Sequence, residues 1–311
     1  MNMKKALPLI ATAALGLYAC GKPAPVAQVE VTPRLVQLPF SQVQTVHLVW
    51  TPSGSIGDEK PTVFVHLLDS RQKVARTFDH PFPERWREGA PVGYDLKLYQ
   101  SALAQPLAPG KYQVVLGLYG KDGKRWPLSG LGDPVGREEY KAFEVQVPNS
   151  DPHPRFVFTP NWMDVETGGD RQVVARRWMV DRGSIRLADQ HAPGTVWMVV
   201  HIPPTALKEY KMIVGEGASM PSVVIHGSCG CPDTNITGPG LHEVELSLDA
   251  PPPGDFCHIL LTSNFALEPL TPTGTKRSAS LENIAWIPGN RKAPEQPAGA
   301  GSNATSPTSP Q

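Results

Sequence analysis

The chain has 311 residues, of which 29 are Lys or Arg and 29 are Asp or Glu. That balance gives no electrostatic pull toward nucleic acid or an acidic surface as partner. Charged residues make up only 19% of the chain and prolines number 34, which suits short strands joined by turns, and the length allows about two domains.

The first twenty residues read MNMKKALPLIATAALGLYAC. Lys4 and Lys5 form a basic start, residues 6–17 an apolar run too short for a stable bilayer span, and Ala19 puts a small residue just before Cys20. A basic start, a short apolar run and a small-residue cleavage site mark residues 1–19 as a secretory signal peptide. The cysteine directly behind the cleavage point resembles the bacterial lipoprotein lipobox, with Tyr18 where that motif usually has a smaller residue. The resemblance implies lipidation (palmitate) of Cys20 as the new N-terminus. Gly21 rather than an aspartate follows, which by the same resemblance implies the outer membrane. An ordinary secreted protein cleaved near Ala19 is the competing reading. After the signal no run is apolar and long enough for a second span, so lipid chains are expected to hold the protein to its membrane. Residues 20–28, with two prolines and no hydrophobic pattern, read as a tether.

The first folded region is expected over 29–147. Strand patterns fall at 44–50, 62–68, 74–78, 92–98, 111–119, 125–128 and 141–147, separated by turn residues. In the first of these Val46, Leu48 and Trp50 share a face, and 62–68 (TVFVHLL) is apolar on both faces. Residues 80–91 hold three prolines and Trp86 and read as a long loop, and GKDG at 120–123 is a hairpin signal. Short strands at this spacing suggest an all-β sandwich. The run VFVHLLD at 63–69, Trp86 with Gly89, and PGKYQVVLGLY at 109–119 resemble a β-sandwich accessory domain of bacterial envelope proteins. That resemblance implies a fold and no chemistry.

Residues 148–154 (PNSDPHP) read as a linker. The second region is expected over 155–289, with strand patterns at 156–162, 172–179, 184–188, 195–201, 211–215, 221–226, 242–248, 257–262 and 282–287. Residues 204–210 suggest one helix of at most two turns. The run Arg177-Trp178-Met179, the strand at 195–201, the alternation at 243–248, LTSNF at 261–265, Arg277 and the strand at 281–286 are similar to a galactose-binding-type jelly roll. Arg277-Ser278-Ala279-Ser280 departs from the glycine-containing turn usual there, and no sugar-binding residue carries over. Residues 290–311, rich in Pro, Ala, Gly, Ser and Thr, are expected to be disordered. The fold expected is therefore all-β, two β-sandwich domains in tandem behind a lipidated tether.

Cys229, Cys231 and Cys257 remain after Cys20, in a compartment that permits disulfides. One disulfide from Cys257 to Cys229 or Cys231 is the first reading, leaving an odd sulfur. Three thiols with His226 and His258 as weaker ligands could instead hold a soft metal such as Cu(I) or Zn, although Cys-x-Cys matches no common zinc spacing. Trp86, between Arg85 and Arg87, is the candidate surface aromatic. No catalytic signature such as G-x-S-x-G, H-E-x-x-H or a P-loop is present. The expected function is a non-enzymatic envelope lipoprotein without a cofactor, binding a glycan or a partner protein and no nucleic acid. A metal- or redox-handling lipoprotein using Cys229, Cys231 and Cys257 is the alternative.

Overall fold

A computed structural model describes residues 23–57, 60–151, 153–167, 175–215, 220–269 and 274–289. The signal peptide, Cys20 and the tail at 290–311 lie outside them. The described residues are all-β apart from one helix. The first region holds β1 (Ala27–Thr32), β2 (Leu35–Gln37), β3 (Val43–Pro52), β4 (Thr62–Leu68), β5 (Val74–Thr77), β6 (His80–Pro81), β7 (Val92–Tyr99), β8 (Gly110–Tyr119), β9 (Leu128–Ser129), β10 (Pro134–Gly136) and β11 (Glu139–Val147). One sheet runs β7-β3-β1-β9; the facing sheet runs β10-β11-β8-β4-β5, with β2 beside β11 and β6 beside β4.

Period-2 alternation builds this sandwich. Val46, Leu48 and Trp50 of β3 meet Val63, Val65 and Leu67 of β4 and Val114, Leu116 and Leu118 of β8 in one core. The apolar residue on the other face of β4, Phe64, is also buried. It lies under the Arg125 guanidinium, 4.7 Å from the ring centroid, and over Gly117, which leaves room for the ring by having no side chain. The tether ends earlier than expected: Val26 and Ala27 are buried and Ala27–Gln28 already belong to β1. The segment at 125–128 is not a full return strand. Arg125 bridges Tyr119, and the chain then crosses to the other sheet, where β9 pairs in parallel with β1.

The second region holds β12 (Arg155–Phe158), β13 (Trp162–Thr167), β14 (Ala175–Met179), β15 (Arg182–Ala188), β16 (Gly194–Ile202), α1 (Pro204–Val214), β17 (Ser222–Gly227), β18 (Thr234–Thr237), β19 (Gly240–Leu248), β20 (Cys257–Ser263) and β21 (Ser280–Pro288). Two five-stranded sheets, β12-β15-β20-β17-β18 and β13-β14-β21-β16-β19, enclose a core that includes Ile185, Leu187, Met198, Val200, Ile225, Ile259 and Trp286. The expected strand at 156–162 is two strands, because Pro160 and Asn161 turn the chain from one sheet into the other. The expected strand at 211–215 is instead the end of α1. Pro204 in the first turn pre-sets the helical backbone. The helix runs 11 residues, longer than the two turns expected. Gly215, with φ of 84°, ends it by donating its N–H to the Lys211 carbonyl at 2.9 Å.

Among the described residues, none of 148–151, 153 and 154 belongs to a strand, and no sheet draws strands from both regions. The two sandwiches nevertheless pack together. Trp197, Val199, Ala285 and Ile287, on the face of β16 and β21 that points away from their own core, meet Val43 and Tyr99. The Tyr99 and Trp197 rings lie 4.6 Å apart. The Trp286 N–H donates to Ser41 O at 2.7 Å and the Ala102 N–H to Ile284 O at 2.8 Å. Leu103, from the first region, is buried in the core of the second. Lys97 lies over Trp197 and pairs with Glu243 and, at 2.9 Å, with Glu245.

Candidate ligand-binding face

The cysteines separate into a pair and a single thiol. Cys229 and Cys257 form a disulfide with Cα atoms 5.8 Å apart. Cys231 is free and half-buried, its Sγ 3.4 Å from the Pro232 carbonyl. Burial, and then the charge of Asp233, push its thiol pKa up, so it is a poor thiolate source. The three-thiol metal site is not formed, since two of its sulfurs are consumed. Strand geometry adds a second reason: successive residues face opposite sides of a sheet, so Cys257 points into the core while His258 is exposed. His226, on the outer face of β17, pairs with Asp233. Among the described residues no group of three His, Cys, Asp or Glu could hold a metal ion.

Trp86 is not a free surface platform. Its indole N–H donates to Gly54 O at 2.9 Å and its ring packs 5.2 Å from Phe82, against the first core.

The disulfide lies at the edge of a different feature. Strand β15 (RGSIRLA) buries Gly183, Ile185 and Leu187 and turns Arg182, Ser184, Arg186 and Ala188 outward. Its neighbour β20 buries Cys257, Ile259 and Leu261 and turns His258, Leu260 and Thr262 outward, with Arg186 opposite His258. At one end of this face a cleft of about 550 Å³ is walled by the Pro251-Pro252-Pro253-Gly254 loop and lined by Arg155, Arg186, Asp189, Gln190, His191 and Phe256. Arg155 grips Asp189 Oδ2 through Nε at 2.7 Å and Nη2 at 2.6 Å. Gln190 is buried and donates through Nε2 to Asp249 O at 2.9 Å, leaving Oε1 without a partner. The Arg186 guanidinium lies 5.0 Å from the Phe256 ring centroid, and its Nε is buried without a partner. Phe256 is 42% exposed, and His258 meets it edge-on at 4.7 Å. A second cleft, of about 400 Å³, lies at the other end of β15 and is lined by Thr159, Pro160, Asn161, Arg182, Ser184 and Leu260.

The disulfide and the Ser228 hydroxyl, which accepts the His258 backbone N–H at 2.8 Å, bind the loop after β17 to the start of β20. They thereby hold the backbone between Phe256 and His258. Of this face the sequence reading had singled out His226 and His258 but not Arg155, Arg186, Asp189, Gln190 or Phe256. The available signal was two arginines, Arg182 and Arg186, on the outward register of a strand that buries Ile185 and Leu187, and a Pro-Pro-Pro-Gly loop at 251–254.

No family model matches the chain, and no curated protein matches it. Among solved structures it is similar to the CARDB domain of a Pyrococcus furiosus protein, crystallised in complex with di-metal ions. The identity there is 14%, over 40% of this chain and 94% of that one, with a TM-score of 0.22. It is also similar to the alpha-2-macroglobulin of E. coli in its native conformation, at 10% identity and a TM-score of 0.25. A mutant Salmonella alpha-2-macroglobulin matches at 10% identity and a TM-score of 0.21. Each macroglobulin match covers 86% of this chain, which spans only 14% and 15% of the macroglobulins' own length.

Proposed function

We propose that this chain is a non-enzymatic lipoprotein of the bacterial outer membrane, anchored through Cys20, whose second sandwich binds a glycan. The observation that carries the reading is the cleft at Arg155, Arg186, Asp189 and Phe256. Sugars present paired hydroxyl donors and acceptors beside apolar ring faces. A fixed Arg–Asp pair offers donors and acceptors together, an exposed aromatic offers a stacking surface, and the volume falls within the usual range for small-ligand sites. The other broad face of this sandwich is partly covered by the first region through Trp197 and Ala285. That division gives the first sandwich a supporting role and leaves the β15–β20 face to the ligand. The anchor reading rests on the basic start, short apolar run and Ala19-Cys20 of the sequence.

The test is a glycan array probed with the purified full chain and with its Phe256→Ala and Arg155→Ala variants, together with membrane fractionation of cells carrying Cys20→Ser. Binding to a defined glycan set, lost in both cleft variants, and release of Cys20→Ser from membranes are expected. An array with no reproducible hit, or hits indifferent to both variants, overturns the glycan reading; wild-type membrane retention of a processed Cys20→Ser protein overturns the anchor.

A further inference from the structure

We infer that the glycan taken by this face is acidic and linear, an oligosaccharide bearing uronate carboxylates that lies along β15 across both clefts. The inference rests on the glycan-binding reading above and adds to it the charge and shape of the ligand.

Charge is the first ground. The chain as a whole is neutral, but its second sandwich is not uniform. The five strands of the β12-β15-β20-β17-β18 sheet contain no Asp or Glu, yet carry Arg155, Arg182, Arg186, His226 and His258. The opposite sheet carries Asp164, Glu166, Glu243, Glu245 and Glu282 against Arg176, Arg177, His201 and His242, so only the first sheet is without carboxylates on its strands. Carboxylates do reach the basic face from its loops, and two of them are committed: Asp189 to Arg155, and Asp233 to His226. Asp181 Oδ1 accepts the backbone N–H of Arg182, and Asp255, exposed in the loop before Phe256, lines the first cleft together with two arginines, Arg155 and Arg186. Among the described residues no carboxylate comes within the 4.0 Å of an ion pair to the side chain of Arg182 or Arg186. These two guanidinium groups are therefore open to a carboxylate, which their planar fork can meet with two parallel hydrogen bonds.

Shape is the second ground. Arg182 lines one cleft and Arg186 the other, four residues apart on the same face of one strand. At the rise of a β-strand that separates them by about 13 Å. Ser184 lies between them on β15, and beside them Val157, Leu260 and Phe256, 38%, 37% and 42% exposed, form an apolar strip. A single sugar would use one cleft and one arginine. A chain of sugars with carboxylates at intervals would use both, with ring faces against the apolar strip. A flat anionic bilayer would meet the face without entering either cleft.

The test is calorimetric titration of the purified full chain with an oligogalacturonate tetramer and with its methyl ester, which keeps the backbone and removes the charge. The acid is expected to bind at least about tenfold more tightly than the ester, and more weakly as salt is raised. Arg182→Gln and Arg186→Gln should each weaken the acid by about tenfold while leaving the thermal midpoint in place. Equal binding of acid and ester overturns the acidic ligand and leaves the glycan reading standing. Acid binding that depends on Arg186 but not on Arg182 overturns the linear ligand spanning both clefts. Binding of anionic vesicles or single-stranded DNA, lost in both arginine variants, with no response to the tetramer, overturns this inference; a silent glycan array beside it overturns the glycan reading too.

Discussion

His201 shows how a single buried group ties stability to pH. It lies on β16, with Nδ1 3.5 Å from Glu282 Oε1 and without a hydrogen bond. Glu282 is itself buried and already accepts from Arg176 Nε at 2.6 Å and from the Ser280 hydroxyl at 3.0 Å. Burial holds the imidazole pKa below its ordinary value; the Glu282 charge pulls the other way, and Arg176 and His242 add to the lowering. The folded state then binds fewer protons than the unfolded chain as pH falls below the ordinary histidine value of about 6.5. Its contribution is absent at high pH, and stability is lost on acidification through that value. In urea unfolding followed from pH 7.5 to 5, His201→Gln should show a shallower loss of stability than the wild type. An identical slope would show that His201 does not report on folding. None of this was legible in the sequence, because the neighbours that bury His201 come from β21 and β14, about 80 residues later and 25 earlier in the chain.

At the scale of elements, the disulfide joins the loop after β17 to the first residue of β20, across a sequence separation of 28. The chain-entropy account assigns such a cross-link about 3–4 kcal/mol of constraint on the unfolded state. Cys257→Ala should lower the thermal midpoint and also weaken glycan binding, because Phe256 and His258 flank the lost anchor. Cys231→Ser should leave both unchanged and remove the one free thiol of the described residues, which a titration of the denatured protein counts. Loss of stability in Cys231→Ser comparable to that of Cys257→Ala would contradict the assigned pairing. Alternation alone made most strands readable, including 62–68, 242–248 and 257–262. The cysteine count narrowed Cys257 to two partners without choosing between them, since the choice depends on how the Ser228–Pro232 loop turns at Cys229 and Gly230, both with positive φ. The strand expected at 211–215 failed because a short apolar run carries no period of its own, and Pro204 seven residues earlier had already committed the segment to a helix. Close packing was equally hidden. An added Cβ on Gly183 would come 2.7 Å from Trp162 Nε1, a contact between β15 and β13 that their sequences do not advertise.

The whole molecule depends on a surface that sequence patterns describe as ordinary strand. Trp197 and Val199 occupy the polar-facing register of β16, yet Trp197 is 4% exposed, because the first sandwich covers it with Val43 and Tyr99. A linker rich in proline and polar residues suggests two independent bodies, and only the three-dimensional partner explains an aromatic on the outside of a strand. Two consequences follow for proteolysis. The described residues of 148–154 carry no strand, and this proline-rich stretch is the natural place for a first cut. The halves should then stay together, held by the Tyr99–Trp197 stack, the Lys97 pairs with Glu243 and Glu245, and Leu103 seated in the second core. After a brief protease digest, the wild type should give two bands on a denaturing gel but one peak in native gel filtration. Trp197→Ala removes the ring from both sandwiches at once, a loss of about 3–5 kcal/mol for a buried tryptophan, and should give two peaks after the same digest. Separation of the nicked wild type would show that the interface does not hold without the covalent link. Retention of the nicked Trp197→Ala protein as one peak would place the binding energy elsewhere, with Leu103 and the backbone hydrogen bonds of Ser41 and Ala102 as the remaining contacts.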